Sequence, residues 1–153
     1  MPVIGIVAAP ALGFAWRGAV GHGAERLQLG PAAGAPVPIR TRKRPSTELL
    51  AAVSRSHLED RTRAFLARFV NVQSVPSGSS IKFCRVAEGA ADVYPRLAPT
   101  HDWDIAAGHA VLVAAGGAVV TPDGGALAYS SAGFLIPGFI AWGDPASAVG
   151  ITA

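Results

Sequence analysis

The stretch from Trp103 to Gly117 constrains this chain most. Ile105, Ala106, Ala107, Ala110, Val111, Leu112, Val113, Ala114 and Ala115 leave almost no polar face. A helix of that composition is stable only when buried nearly all round, so other elements must enclose it. Asp104 stands where an N-cap is expected, its side chain accepting from the first free backbone N–H groups. Gly116 and Gly117 suit the left-handed turn that closes a helix. A helix N-terminus favours anions, and a carboxylate beside it can recruit a divalent cation. The pattern therefore fits a metal-held phosphate, while on spacing alone a plain cap is the more ordinary reading.

The chain has 153 residues, enough for one domain with its own core. Half of them are hydrophobic and only 15% are charged, against a usual share of about 25%. Two readings compete: a membrane protein, or a soluble unit whose partner surface lies elsewhere. The longest uncharged apolar run, Ala110 to Val120, includes two glycines and falls well short of the ~20 residues a membrane helix needs. The second reading wins, and self-association is one outcome of it. The N-terminus has no basic leader, and Pro2 and Pro10 interrupt its apolar stretch, so a signal peptide is the weaker reading. Cys84 is the single cysteine and cannot form an internal disulfide, which fits a reducing cytoplasm. A peripheral position at the inner membrane is the alternative. Net charge is +3, with cations concentrated from Arg40 to Arg44. That run has no interleaved aromatics, so it reads as a solvated loop and not as a nucleic-acid site.

Strands are expected over 2–8 and 11–19, with a short one following Gly23. Prolines and glycines from Gly30 to Pro45 predict a loop over 30–47. A second unit opens with a buried strand from Leu50, then a helix carrying Thr62, Phe65, Leu66 and Phe69 on one face. A strand over 70–75 follows. Ser79 or Ser80 caps a helix with Ile81, Cys84 and Ala87 inward, stopped by Gly89. Strands are expected at 91–97, 118–121, 127–129 and 134–142. Alternating strands and helices give an α/β layered fold.

In such folds ligands gather where strands end and helices begin. Three junctions carry suitable side chains: Ser54 to His57, Gly78 to Ser80, and Asp104, with Lys82 and Arg96 nearby. Arginine grips phosphate through two parallel hydrogen bonds and lysine adds a point charge. Plainer roles stand beside these: His57 and Ser79 as caps, Lys82 and Arg96 as surface charges. His109 reads as a core histidine, Trp103 as a packing residue that orients Asp104, and Glu59 and Asp60 as an exposed helix start. His22 and His101 have no partner at metal-site spacing. Of ten acids, only Asp102 with Asp104 and Glu59 with Asp60 lie close together. A two-metal hydrolase needs ligands around ions about 4 Å apart, which one aspartate does not supply.

Trp103-Asp104, Ala106 to Gly108 and Ala115 to Gly117 together resemble the C-terminal signature of the inositol monophosphatase superfamily. Gly78 to Arg96 and Ser54 to His57 narrow the likeness to its 3'(2'),5'-bisphosphate nucleotidases, the CysQ type. The likeness runs from about residue 2 to about residue 140. It implies the C-terminal half of the inositol monophosphatase-like layered sandwich. Residues 1–47 would complete the sheet of a missing N-terminal half, and 48–153 would form the C-terminal substrate-binding domain. The implied activity is Mg2+-dependent phosphomonoester hydrolysis, adenosine 3',5'-bisphosphate to AMP and phosphate, in sulfur assimilation and nucleotide recycling. Asp104 would bind metal and approach substrate, His57 would lie near base or ribose, and Ser79, Lys82 and Arg96 would contact the nucleotide. The glutamate pair and the Asp-Pro-(Ile/Leu)-Asp-Gly-Thr loop of such enzymes are absent: the one Asp-Pro, at Asp144, is followed by Ala-Ser. A chain inactive alone, with the N-terminal half as its partner, is therefore expected. The alternatives are a non-catalytic nucleotide- or anion-binding fragment and an inositol monophosphate phosphatase.

Overall fold

The computed structural model describes residues 1–31, 33–54 and 58–148. The first sheet is antiparallel and ordered β1 (Ile4–Ala9), β2 (Phe14–Ala19), β3 (Gly23–Gln28), β4 (Val37–Ile39). The second is mixed, ordered β6 (Val72–Pro76), β5 (Leu49–Val53), β7 (Val93–Arg96), β11 (Phe139–Trp142), β9 (Ala118–Val120). Its β5 runs parallel to β6 and β7, while β11 is antiparallel to both neighbours. A two-residue pair, β8 (Thr100–His101) with β10 (Leu135–Ile136), lies apart from both sheets. The helices are α1 (Asp60–Leu66), α2 (Ile81–Ala87) and α3 (Asp102–Ala114).

The layers follow from which side chains are apolar. Val7, Ala9 and Trp16 of the first sheet share a core with Ala52, Tyr94, Phe139 and Ala141 of the second. Phe83, Cys84 and Val86 of α2 and Ile105, Val111 and Leu112 of α3 fill the space between. On its far side the second sheet buries Leu49, Val53, Ile140 and Trp142 against Phe65 and Leu66 of α1. Sheet, helices, sheet, helix is the layered α/β arrangement expected. Gly5 and Gly108 let α3 pack this closely: a Cβ at Gly5 would lie 2.1 Å from the Ala107 carbonyl oxygen, and one at Gly108 2.5 Å from the Phe83 ring.

Several boundaries differ from the sequence reading. The chain from Pro10 to Leu12 is a 3-10 turn closed by Gly13 at φ 72°, so β2 begins only at Phe14. The expected loop over 30–47 contains β4, an edge strand whose Pro38 has no ladder donor to waste. Leu127 to Tyr129 is not a strand, and only a bridge between Ala126 and Val120 forms there. The expected strand over 134–142 breaks at Pro137-Gly138 into β10 and β11.

The cationic run is not a purely solvated loop either. Arg42 donates from Nε and Nη2 to the two oxygens of buried Asp92 at 2.7 and 2.9 Å, and the Leu50 N–H joins them at 2.7 Å. A buried carboxylate needs such a complement, and the paired charge holds the Arg42 pKa above its ordinary value. Arg44 lies 5.0 Å over the Phe69 ring. Glu59 likewise does more than face water: it accepts from Thr62 Oγ1 and from the Leu97 N–H. Among the described residues no helix is long and apolar enough to cross a membrane.

Candidate functional site

The turn Gly78-Ser79-Ser80 feeds α2, and Thr100 feeds α3. Both junctions open on one cavity of about 170 Å3, lined by Ser79, Ser80, Phe83, Tyr94, Arg96, Thr100, Asp104 and Ile105. Three of the residues singled out from sequence thus meet: Ser79, Arg96 and Asp104.

Asp104 is not the N-cap. Helix α3 starts at Asp102, His101 is its N-cap, and Asp104 occupies the third helical position. From there its Oδ2 accepts from Thr100 Oγ1 at 2.9 Å and from the His101 N–H at 3.2 Å, reaching back over the helix start. Its side chain remains half exposed, and its backbone carbonyl accepts from Ser80 Oγ at 3.0 Å. That bond ties the two junctions together. Ser80 and Ser79 do not cap α2 with their side chains. Ser79 is instead held at φ 42°, in the left-handed region, on the cavity wall.

Arg96, at the end of β7, donates from Nη2 to the Pro99 carbonyl at 3.2 Å. Its buried Nε has no partner among the described residues. Burial pushes the Tyr94 phenol up to about 12, while the neighbouring guanidinium draws it down. Tyr94 is therefore a neutral hydroxyl at any ordinary pH. Lys82 takes no part in the lining. It is buried, Nζ 3.4 Å from the Ser77 carbonyl and 4.8 Å from the centre of the Tyr94 ring. His57 lies outside the described residues.

Trp103 does not pack beside Asp104. It is 65% exposed and stacks on His101, ring centres 4.5 Å apart and planes 6° from parallel. His109 is the satisfied core histidine expected: its Nδ1 meets the Tyr129 hydroxyl at 2.7 Å, and burial lowers its pKa to about 4. Cys84 is buried in α2, where desolvation pushes its thiol far up and leaves it a packing residue.

Sequence reasoning placed Ser80 at the α2 junction but missed Thr100 and Tyr94 as lining residues. The signal for Thr100 lay in its spacing: a hydroxyl just ahead of a helix can donate to a carboxylate one turn on. Tyr94 carried no signal of its own, since strand alternation alone turned it to this side. Among the described residues no three His, Cys, Asp or Glu side chains converge where they could hold a metal ion. Asp104 alone does not fit a divalent cation, which takes about six oxygen ligands. The cavity offers one arginine, three hydroxyl side chains besides Tyr94, one carboxylate and no complete metal set, an arrangement for holding an anionic ligand.

The inositol monophosphatase family model matches residues 1–147. The chain is 41% identical over 110 residues to the 3'(2'),5'-bisphosphate nucleotidase CysQ of Salmonella typhimurium, covering 72% of this chain and 42% of that protein. The corresponding Escherichia coli K12 protein is 39% identical over the same length and coverage. The crystal structure of CysQ from Bacteroides thetaiotaomicron superposes with a TM-score of 0.80 at 35% identity, covering 93% of this chain and 58% of that one. The match spans less than half the length of these two curated relatives.

Proposed function

Because the chain belongs to the inositol monophosphatase family, we propose that its cavity binds substrate for a phosphomonoesterase of the 3'(2'),5'-bisphosphate nucleotidase type. The observation that carries this reading is the meeting of Ser79, Arg96, Thr100 and Asp104 at one cavity between two helix starts. Arg96 supplies the fixed positive charge for a phosphate, and the hydroxyls of Ser79 and Thr100 supply orienting hydrogen bonds. The Tyr94 hydroxyl, kept neutral by burial, offers a further donor. The reaction is removal of the 3'-phosphate of adenosine 3',5'-bisphosphate, in sulfur assimilation or nucleotide recycling. A single free and buried cysteine and the nucleotide substrate both suit a cytoplasmic setting.

The family is metal-dependent, and magnesium is the ion we propose. Asp104 would give it one oxygen, and the remaining ligands would come from outside this chain. No hydrolytic step is assigned to these residues alone. Their work is to bind, orient and neutralise.

Phosphate release from adenosine 3',5'-bisphosphate with magnesium tests the proposal, first with this chain and then with a separately expressed N-terminal half of a relative added. Turnover is expected only in the mixture, and Arg96→Ala is expected to weaken nucleotide binding to the chain by about tenfold, a lost charge-assisted contact of roughly 1.5 kcal/mol. Turnover by the chain alone, or binding indifferent to Arg96, would sink it.

A further inference from the structure

Of the three tryptophans, Trp16 and Trp142 are fully buried, while Trp103 is 65% exposed. A large aromatic left in water loses the burial that normally justifies its place in a fold. Trp103 is nonetheless ordered by its neighbours: His101 lies flat against it, and the Phe134 ring stands 5.9 Å away, tilted by 54° and itself half exposed. The chain has built a flat, open aromatic stack and fixed it in place.

The stack borders the cavity. His101 follows Thr100, and its Nδ1 is 3.9 Å from Oδ2 of Asp104; both of those residues line the cavity. A ligand whose phosphate sits against Arg96 and whose remainder leaves past Asp104 meets the imidazole next. Exposed parallel rings accept another flat π-system, and every nucleobase has a π-face that stacks on such a surface.

We propose that His101 and Trp103 form a base-stacking platform, on which the adenine ring of a nucleotide rests while its phosphate lies in the adjacent cavity. This rests on the reading of the cavity as a nucleotide-phosphate site and adds to it a determinant for the base. It also makes the chain a discriminator: a phosphorylated sugar or inositol fills the cavity but leaves the platform bare.

The test uses the full chain and its intrinsic fluorescence, because Trp103 is the one tryptophan open to a quencher such as acrylamide. Adenosine 3',5'-bisphosphate is expected to reduce quenching, and ribose 3,5-bisphosphate, which lacks the base, is expected to leave it unchanged. Trp103→Ala should weaken binding of the adenosine ligand by about tenfold, Trp103→Phe should restore it to within about threefold, and neither should alter affinity for the ribose ligand. His101→Ala should behave like Trp103→Ala. Adenosine bisphosphate binding that depends on Arg96 but is indifferent to Trp103 and leaves its quenching unchanged overturns the platform and spares the cavity. Failure of both ligands to bind overturns the cavity reading and the platform with it.

Discussion

The two sheets are built from similarly apolar strands, yet one is covered on both faces and the other on one. In the second sheet, Ala52 of β5 faces the α2–α3 layer, while Leu49, Ala51 and Val53 face the α1 side. In the first, β1 alternates strictly: Gly5, Val7 and Ala9 turn inward, and Ile4 and Ile6 stand out at 71% and 65% exposure. The edge of β1 carries no charge and no internal proline, whereas β4 at the opposite edge carries Pro38. Edges are normally blunted by such residues. The difference teaches that apolar alternation marks which side chains want cover, and a neighbouring element decides whether they receive it.

The largest expected effect separates the covered sheet from the open face. Trp142 is fully buried in β11 and packs edge-on against Phe65 and Phe69, so Trp142→Ala should cost about 4 kcal/mol. Ile6→Ala should stay within about 0.5 kcal/mol, because its side chain already faces water. Urea unfolding of both variants measures the gap. Comparable losses would mean that the outer face of β1 is packed in solution and that the comparison is wrong.

A second substitution sharpens the contrast within a single strand. Gly5 neighbours Ile4 and Ile6 but points the other way, at α3. A methyl group there would meet the Ala107 carbonyl oxygen at 2.1 Å, with only backbone to move. Gly5→Ala should therefore cost about 3 kcal/mol, at the upper end for overpacking. A neutral Gly5→Ala, read in the same denaturant series, would show that β1 is not seated on α3.

Much of this was legible in the chain itself. The apolar surface of the Trp103 to Gly117 stretch required an enclosing layer, and α3 indeed lies between two sheets. The glycines closing it fit too, since Gly116 sits at φ 102°. The helix boundary was not legible, because an aspartate that can cap from outside can also reach back from the third position, and only the Thr100 hydroxyl decides between them. The same holds for Lys82: closeness in sequence set it beside a junction, but its side chain is buried against the Tyr94 ring and the Ser77 carbonyl. Arg42 and Asp92 are fifty positions apart, and nothing local announces their pair. Ser79, Arg96 and Asp104 were placed at or beside helix starts from sequence, and the fold brings them to one cavity.

The smallest expected effect concerns the layer that both sheets share. His109 lies in the middle of α3, 4% exposed, with its Nδ1 2.7 Å from the Tyr129 hydroxyl, which burial and nearby Asp102 keep protonated. Desolvation lowers its pKa from 6.5 to about 4. Below 6.5 the unfolded chain takes up a proton that the folded chain refuses until about pH 4. The contribution of neutral His109 is thus complete above pH 6.5 and lost as the pH falls through that window. Carboxylates titrate in part of the same window, so the informative quantity is a difference between variants. His109→Asn keeps a hydrogen-bonding group near the position of Nδ1 and removes the titration. Its unfolding midpoint should fall less steeply with acid than that of the unsubstituted chain between pH 6.5 and 4. Parallel profiles would mean that the imidazole is reached by water in the folded state, and that the layer between the sheets is less closed than the covered faces on either side of it require.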